Sequence, residues 1–112
     1  VSPDEIVAFC EKTGRKLCFD TSHAALASNY LGLSFAEYTR KVLPYVVHLH
    51  ISDAVGVDGE GLQIGEGDID FDELFGILKD CDAPFVPEVW MGHKFGAEGF
   101  WRALERLSRY KV

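Results

Sequence analysis

Three apolar runs in this sequence each end in polar, chemistry-bearing residues, and this recurrence limits the folds that the chain can adopt. The runs are residues 16–20, 46–52 and 85–90, and stretches with helical periodicity separate them. Strands that alternate with helices of about ten residues favour a parallel sheet with right-handed crossovers. We therefore expect an α/β fold in which three βα units, a parallel βαβαβα arrangement, follow an initial helix.

The predicted helices begin and end at recognisable signals. Ser2 and Glu5 have the spacing of a capping box, and Gly14 follows the last residue of that helix. Ser34 is expected to cap a later helix that ends before Pro44. Helices are also expected over residues 70–79 and 100–110, and a loop or short helix over residues 24–33.

Length and charge limit the classes of function. The 112 residues are expected to form one domain, residues 1–112, and their formal net charge is −7. An acidic surface repels phosphate backbones, so nucleic acid is not an expected partner. No apolar run is long enough to span a membrane. Cys10, Cys18 and Cys81 form no CxxC pair, so we expect reduced core thiols in a cytoplasmic protein.

Side chains that suit metal binding follow all three predicted strands. Asp20 ends the first strand and His23 comes soon after it, His48 and His50 lie in the second strand, and Glu88 lies in the third. The carboxyl ends of parallel strands meet at one edge of a sheet, so these side chains are expected to converge there. Carboxylates and imidazoles are ligands of Zn²⁺, Mn²⁺ and similar divalent ions.

Each of these residues also has an ordinary structural explanation. An aspartate at a strand end can cap a helix, and a histidine can be a hydrogen-bonded packing residue. His50 lies nearer the end of its strand than His48, so we expect His50 to be the ligand and His48 to be a packing residue. Beyond Glu88, Trp90 could form the wall of a small-molecule pocket, and Lys94 could hold an anionic group.

The glycine-rich segment over residues 56–67 lacks the features of a phosphate-binding loop. It has no Gly-Lys-Ser/Thr ending, and it carries Asp58, Glu60 and Glu66. These carboxylates would repel a phosphate group, so we expect a flexible loop beside the site instead.

Four segments carry a resemblance to a known family. They are "CFDTSH" (residues 18–23), "VVHLHISDA" (46–54), "GEGDIDFDELFGIL" (65–78) and "PEVW" (87–90). In order and spacing they resemble the last part of the xylose-isomerase-like TIM barrels, which include sugar-phosphate isomerases and epimerases and the endonuclease IV type of repair nuclease. The four segments cover nearly the whole chain, so the resemblance implies a (β/α) barrel fold.

The resemblance also implies a role for each matching residue. Asp20, His50 and Glu88 would bind a divalent metal (Zn, Mn, Mg or Co), and His23 would bind substrate or a second metal. In the epimerases the residue that matches Glu88 also moves a proton beside the substrate carbonyl, so Glu88 and His23 are the catalytic candidates. A cation that polarises a carbonyl allows a carboxylate to remove the adjacent C–H proton. The implied function is the isomerisation or epimerisation of a sugar or sugar phosphate.

The sequence also departs from this family in ways that bear on activity. The family barrel has eight strands, three are predicted here, and no segment matches the family's first metal-binding glutamate, which is its other proton-transfer residue. Gly56 stands where the epimerases often have an arginine, and the Asp-x-His pair of the nucleases is absent from the following loop.

Three strands cannot close a barrel, and their open edges favour association. We therefore expect a partial TIM barrel completed by self-association, as a homodimer or another oligomer. Strands from a different chain are the other source that could complete it. A non-catalytic, oligomeric protein that binds a small ligand or acts as a scaffold remains the alternative function.

Overall fold

The computed structural model of the protein describes residues 2–110, in which helices and strands alternate. The α-helices are α1 (Pro3–Thr13), α2 (Thr21–Leu31), α3 (Phe35–Val42), α4 (Phe71–Ile77) and α5 (Lys94–Leu107). The strands are β1 (Leu17–Asp20), β2 (Val46–Ile51), β3 (Asp53–Val55), β4 (Gly59–Leu62) and β5 (Phe85–Pro87). Short 3-10 turns follow α3 at Leu43–Tyr45 and α5 at Ser108–Tyr110.

The three predicted strands form one parallel sheet. Its order is β1-β2-β5, so the second strand along the chain lies in the centre and both of its neighbours run in the same direction. Helices follow each of these strands, as a sheet of crossover units requires. The expected α/β fold, a three-stranded parallel part of a barrel preceded by a helix, is therefore confirmed for residues 2–110.

The pairing of β1 with β2 contains one β-bulge. Leu17 lies opposite Val46, but the next residue of β1, Cys18, lies opposite His48, so Val47 is an extra residue on β2. Val46 packs against the core, whereas the Val47 side chain is 52% exposed. Strict alternation along the strand would have placed Val47 on the core side, and the bulge reverses this.

The core lies between one face of the sheet and the helices. Phe19, Leu49 and Ile51 from the strands are buried there. The helices contribute the other buried side chains of this cluster, which include Ala24, Tyr38, Val42, Phe71, Leu74, Ala103 and Leu107. The opposite face of the sheet carries Cys18, Asp20, His48 and His50, and all four side chains are exposed or half-buried. This open face is the one that lines the interior of a closed barrel.

The segment that was expected to be a flexible glycine-rich loop is an antiparallel hairpin. Strands β3 and β4 pair with each other, and a turn over residues 56–58 joins them. Gly56 has a φ of 64°, a left-handed conformation that glycine adopts without strain. The prediction of a loop was wrong for residues 59–62, which pair as a strand, whereas residues 63–67 follow the hairpin without regular secondary structure.

Asp53 fixes the chain that follows this hairpin. Its carboxylate is completely buried and accepts four backbone N–H bonds, from Ala54 at 2.8 Å, Gly65 at 3.0 Å, Gly67 at 2.9 Å and Ile69 at 3.0 Å. These donors pair the buried charge without a basic side chain. Asp53 therefore holds residues 65–69 against the end of β2 rather than contributing to the open face.

Residues 24–33, expected as a loop or short helix, take the second form, since most of them lie within the eleven-residue helix α2. One expectation about the cysteines differs from the structure. Cys10 is buried as predicted, but Cys18 is exposed, because it shares the open face of β1 with Asp20 while Phe19 turns to the core. Among residues 2–110 no helix has the length and apolar character that a bilayer crossing requires.

Candidate metal and proton-transfer site

Asp20, His50 and Glu88 lie together at the carboxyl ends of the three parallel strands. Asp20 pairs in register with His50 across β1 and β2, and the backbone N–H of Glu88 donates to the carbonyl of Ile51 at 2.9 Å. The Nδ1 atom of His50 is 2.8 Å from Glu88 Oε2 and 3.8 Å from Asp20 Oδ2. The parallel arrangement of the strands thus brings two carboxylates and one imidazole to a common edge.

Asp20 has two roles in the structure. One carboxylate oxygen accepts the backbone N–H of His23 at 2.9 Å, so Asp20 is the N-cap of α2. The other oxygen, Oδ2, faces His50. Both the structural explanation and the site explanation of this aspartate therefore apply, and a test of the site has to preserve the cap.

The ligand atoms of Asp20, His50 and Glu88 have the separation that a bound cation needs. One ligand atom from each side chain lies within 4.8 Å of the other two. A divalent ion about 2.0–2.2 Å from each nitrogen or oxygen would bring such atoms to comparable distances from one another. Two carboxylates and a neutral imidazole suit Zn²⁺, Mn²⁺ or Co²⁺, and the two negative charges lower the cost of holding the ion. The residues present therefore fit a divalent metal.

His23 lies between two carboxylates in the first turn of α2. Its Nδ1 is 3.2 Å from Asp20 Oδ1, and its Nε2 is 2.5 Å from Glu60 Oε2. Burial lowers the pKa of His23, but the charges and hydrogen bonds of Asp20 and Glu60 outweigh burial, and the pKa lies above its ordinary value. His23 therefore keeps its proton to a higher pH than a free histidine does, and in its protonated form it can donate protons or hydrogen bonds at the edge of the site.

Glu60 is a site residue that the sequence analysis missed. The hairpin carries it to His23, and the Gly61 beside it is bonded on both sides: its N–H donates to Ser22 Oγ at 3.0 Å, and its carbonyl accepts from the Trp90 N–H at 2.7 Å. The signal that could have located it is Asp58-Gly59, a dipeptide typical of hairpin turns. The contact itself spans 37 residues of sequence, and no local pattern indicates it.

A cavity of about 310 Å³ opens beside these groups, at the small end of the usual range for ligand pockets. The residues that line it come from the ends of β1, β2 and β5, from α2 and from the hairpin. They are Asp20, Ser22, His23, Ser52, Glu60, Gly61, Glu88, Val89 and Trp90. The Trp90 side chain is 78% exposed and forms part of the wall, as the sequence suggested.

The remaining candidates from the sequence lie outside this cavity. Lys94 lines an adjoining cavity of about 460 Å³ that shares Glu60 and Trp90 with the first. His48 lies two residues before His50 on the same face of β2, opposite Cys18. Its ring meets the His50 ring edge-on at a centroid distance of 5.2 Å. His48 is thus part of the open face of the sheet and not of the cavity.

Comparison with known proteins places these observations in a family. A family model described as a xylose isomerase-like TIM barrel matches residues 1–110. The uncharacterized protein MJ1311 of Methanocaldococcus jannaschii is 36% identical over 76 residues, which are 68% of this chain and 25% of that protein. The chain therefore matches about a quarter of the length of this curated relative.

Proposed function

The chain belongs to the xylose isomerase-like TIM-barrel family, and on this premise we propose that it takes part in metal-assisted isomerisation or epimerisation of a sugar or sugar phosphate. The observation that carries the proposal is the convergence of Asp20, His50 and Glu88 at the ends of three parallel strands. The adjoining cavity has the volume of a small ligand, and three carboxylates and the imidazole of His23 line it.

The metal-binding residues would be Asp20, His50 and Glu88. A divalent cation bound there would polarise a sugar carbonyl and make the neighbouring C–H bond more acidic. Glu88 is 55% exposed at its side chain and borders the cavity, so its carboxylate can reach a substrate and accept that proton. His23, as an imidazolium, can donate a hydrogen bond or a proton to a substrate oxygen.

The pairing of His23 with Asp20 and Glu60 supports this division of roles. Two carboxylates orient the ring, so its N–H groups are fixed in direction, as in other sites where a second residue holds a catalytic histidine. The Glu60 side chain is 58% exposed, and it would exchange its bond to His23 for a bond to a substrate hydroxyl without a buried charge being left unpaired.

The rest of the barrel has to come from outside the described residues. The sheet ends at β1 on one side and at β5 on the other, and a barrel needs further strands to pair with both edges. We propose that a second copy of the chain supplies them, in a homodimer or a larger oligomer. Multi-angle light scattering would then give a multiple of 12.5 kDa, and a monomer at micromolar concentration would contradict self-association.

The alternative is an oligomeric binding or scaffold protein without catalysis. Asp20 already caps a helix, and His50 Nδ1 already lies 2.8 Å from Glu88 Oε2, so neither contact requires a metal. In that case a small ligand would still occupy the cavity, but no proton would be exchanged.

An exchange experiment separates the two functions. The protein is incubated with Mn²⁺ and a panel of aldoses, ketoses and their phosphates in deuterated water, and deuterium is measured at the carbon next to the carbonyl. The proposed function predicts incorporation by the wild-type protein and loss in Glu88→Gln. Binding of a sugar without incorporation would support the scaffold alternative.

Metal binding is tested with a matched pair of cap variants. Asp20→Asn keeps an N-cap side chain on α2 but removes the charge, and we expect Mn²⁺ affinity to fall by more than about 100-fold, since even outer partners of metal ligands contribute about 10- to 100-fold. Asp70→Asn is the control, because Asp70 caps α4 in the same way through the Glu73 N–H at 3.0 Å. Equal Mn²⁺ affinity in both variants would refute the metal assignment.

A further inference from the structure

We infer that the open face of the sheet holds a second cation site, built by Cys18, His48 and His50, that takes a thiophilic divalent ion such as Zn²⁺ or Co²⁺. The inference does not depend on the sugar chemistry proposed above. It rests on the register of two neighbouring strands and on the convergence of one thiol and two imidazoles.

The register places these side chains in two layers on one face. Cys18 lies opposite His48, and two residues further along Asp20 lies opposite His50. Side chains two residues apart point to the same face of a strand, so the Cys18–His48 pair forms a lower layer directly beneath the Asp20–His50 pair. The T-shaped contact between the two histidine rings, 5.2 Å between centroids, shows that the layers touch.

The three ligand atoms are close enough to share one ion. One atom each from Cys18, His48 and His50 lies within 4.8 Å of the other two. Around a tetrahedral ion, bond lengths of about 2.3 Å for zinc to sulfur and about 2.1 Å for zinc to nitrogen place the two ligand atoms about 3.6 Å apart. Rotation of these exposed or half-buried side chains would have to bring the ligand atoms closer by up to about 1 Å.

The second site combines the lower pair with His50 of the upper layer, so its chemistry differs from that of the site at Asp20, His50 and Glu88. A thiolate with two imidazoles favours Zn²⁺ and Co²⁺ over Mg²⁺ and Mn²⁺, whereas the carboxylates of Asp20 and Glu88 also suit the harder ions. Three protein ligands leave a fourth tetrahedral position for water or another small ligand. On binding, the Cys18 thiol gives its proton to solvent and its sulfur bonds to the ion.

The exposure of Cys18 also distinguishes it from an inert core thiol. Cys10 is buried, at 4% exposure, whereas Cys18 is exposed on the face that carries both imidazoles. Cys81 is half-buried and packs against the apolar core cluster, so it is a matched control within the same chain.

Cobalt spectroscopy of the full chain tests the inference. Co²⁺ bound to a thiolate gives a sulfur-to-metal charge-transfer absorption in the near ultraviolet, and Co²⁺ bound to oxygen and nitrogen does not. We expect this band in the wild-type protein and in Cys81→Ser, and we expect it to be lost in Cys18→Ser. His48→Gln is expected to weaken Co²⁺ binding, measured at this band, by more than about 100-fold, as loss of a direct ligand should exceed loss of an outer partner.

The two sites share His50, but their other ligands differ, so variants of those other ligands test each site separately. Asp20→Asn should lose Mn²⁺ binding and keep the charge-transfer band, because Asp20 is a ligand of the upper layer only. Co²⁺ binding without the band in wild-type protein, or a band that persists in Cys18→Ser, would overturn the thiol site. Neither result bears on the Mn²⁺ and deuterium-exchange tests of the upper site. Circular dichroism of each variant confirms that the fold is retained.

Discussion

Replacement of Asp53 by asparagine should destabilise the protein strongly although it changes a single atom. The Asp53 carboxylate accepts two backbone N–H groups at each oxygen, and the side chain is completely buried. An asparagine has one accepting oxygen, so its amide group would face two N–H donors that have lost their acceptor. No rotation of the side chain satisfies all four donors.

The magnitude follows from these bonds. A hydrogen bond to a charged group contributes about 1.5–3 kcal/mol, so two lost bonds cost about 3–6 kcal/mol. Asparagine removes the cost of burying a charge, which offsets part of this, and we expect a net loss of about 3 kcal/mol. At about 0.05–0.15 kcal/mol per residue, the whole chain of 112 residues has a free energy of unfolding of about 6–17 kcal/mol. The variant would therefore lose between a fifth and a half of that free energy.

Urea unfolding of wild-type, Asp53→Asn and Asp68→Asn proteins measures the effect. Asp68 is an exposed neighbour in the same segment, and its variant should remain within about 0.5 kcal/mol of wild type. We expect Asp53→Asn to lower the melting temperature by about 12 °C, at about 4 °C per kcal/mol for a domain of this size. Unfolding of Asp53→Asn at the wild-type midpoint would refute the account. If the variant does not fold, hydrogen exchange in the wild-type protein decides the matter, because the amides of residues 65, 67 and 69 should be protected.

Three further variants and one metal addition have expected outcomes. Gly67→Ala should destabilise the protein by at least about 1–3 kcal/mol in thermal unfolding, because its Cβ would clash with the backbone carbonyl oxygen of Ala54. Gly76→Ala in α4 should instead stabilise the protein by about 0.5–1 kcal/mol, because a Cβ at Gly76 would meet open space. Equal changes in the free energy of unfolding for the two glycine variants would contradict the steric argument. Thr21→Val should lower the free energy of unfolding by about 2–4 kcal/mol in urea, because the buried Thr21 hydroxyl donates to the Ser52 carbonyl and accepts from the Ser52 N–H. A loss below about 0.5 kcal/mol would refute this. Mn²⁺ at 100 times its Kd should raise the free energy of unfolding by about 2.7 kcal/mol in wild type and not in Asp20→Asn, and a similar rise in both would place the bound ion elsewhere.

The sequence was sufficient to predict the sheet because each strand is signalled locally. The apolar runs end in Asp20, His50 and Glu88, and parallel pairing alone then brings those ends to one edge. The same local reasoning explains the error at Cys18. Its neighbours in sequence are apolar, but the face of a strand is set by alternation, and alternation places Cys18 with Asp20 rather than with Phe19.

Features that depend on pairing between distant segments could not be predicted in this way. Glu60 reaches His23 only because a hairpin forms and then bonds to Ser22 and Trp90. The bulge at Val47 exists only in the pairing of two strands, so no property of either strand alone reveals it. Asp53 lies only three residues beyond His50, but three of its four N–H donors, at residues 65, 67 and 69, belong to a segment whose path depends on the same hairpin.

The extra residue at Val47 determines which amino acids can meet across the first two strands. If Leu17 lay opposite Val46 and the pairing then continued without a bulge, Cys18 would face Val47 and Asp20 would face Leu49. Each polar side chain of β1 would then have a hydrocarbon neighbour. Deletion of Val47 would instead close the bulge and leave Cys18 opposite His48 and Asp20 opposite His50 in an unbroken ladder. The sheet thus accommodates one surplus residue by pushing it out of the ladder, and homologues that lack this residue should still place an aspartate and a histidine side by side.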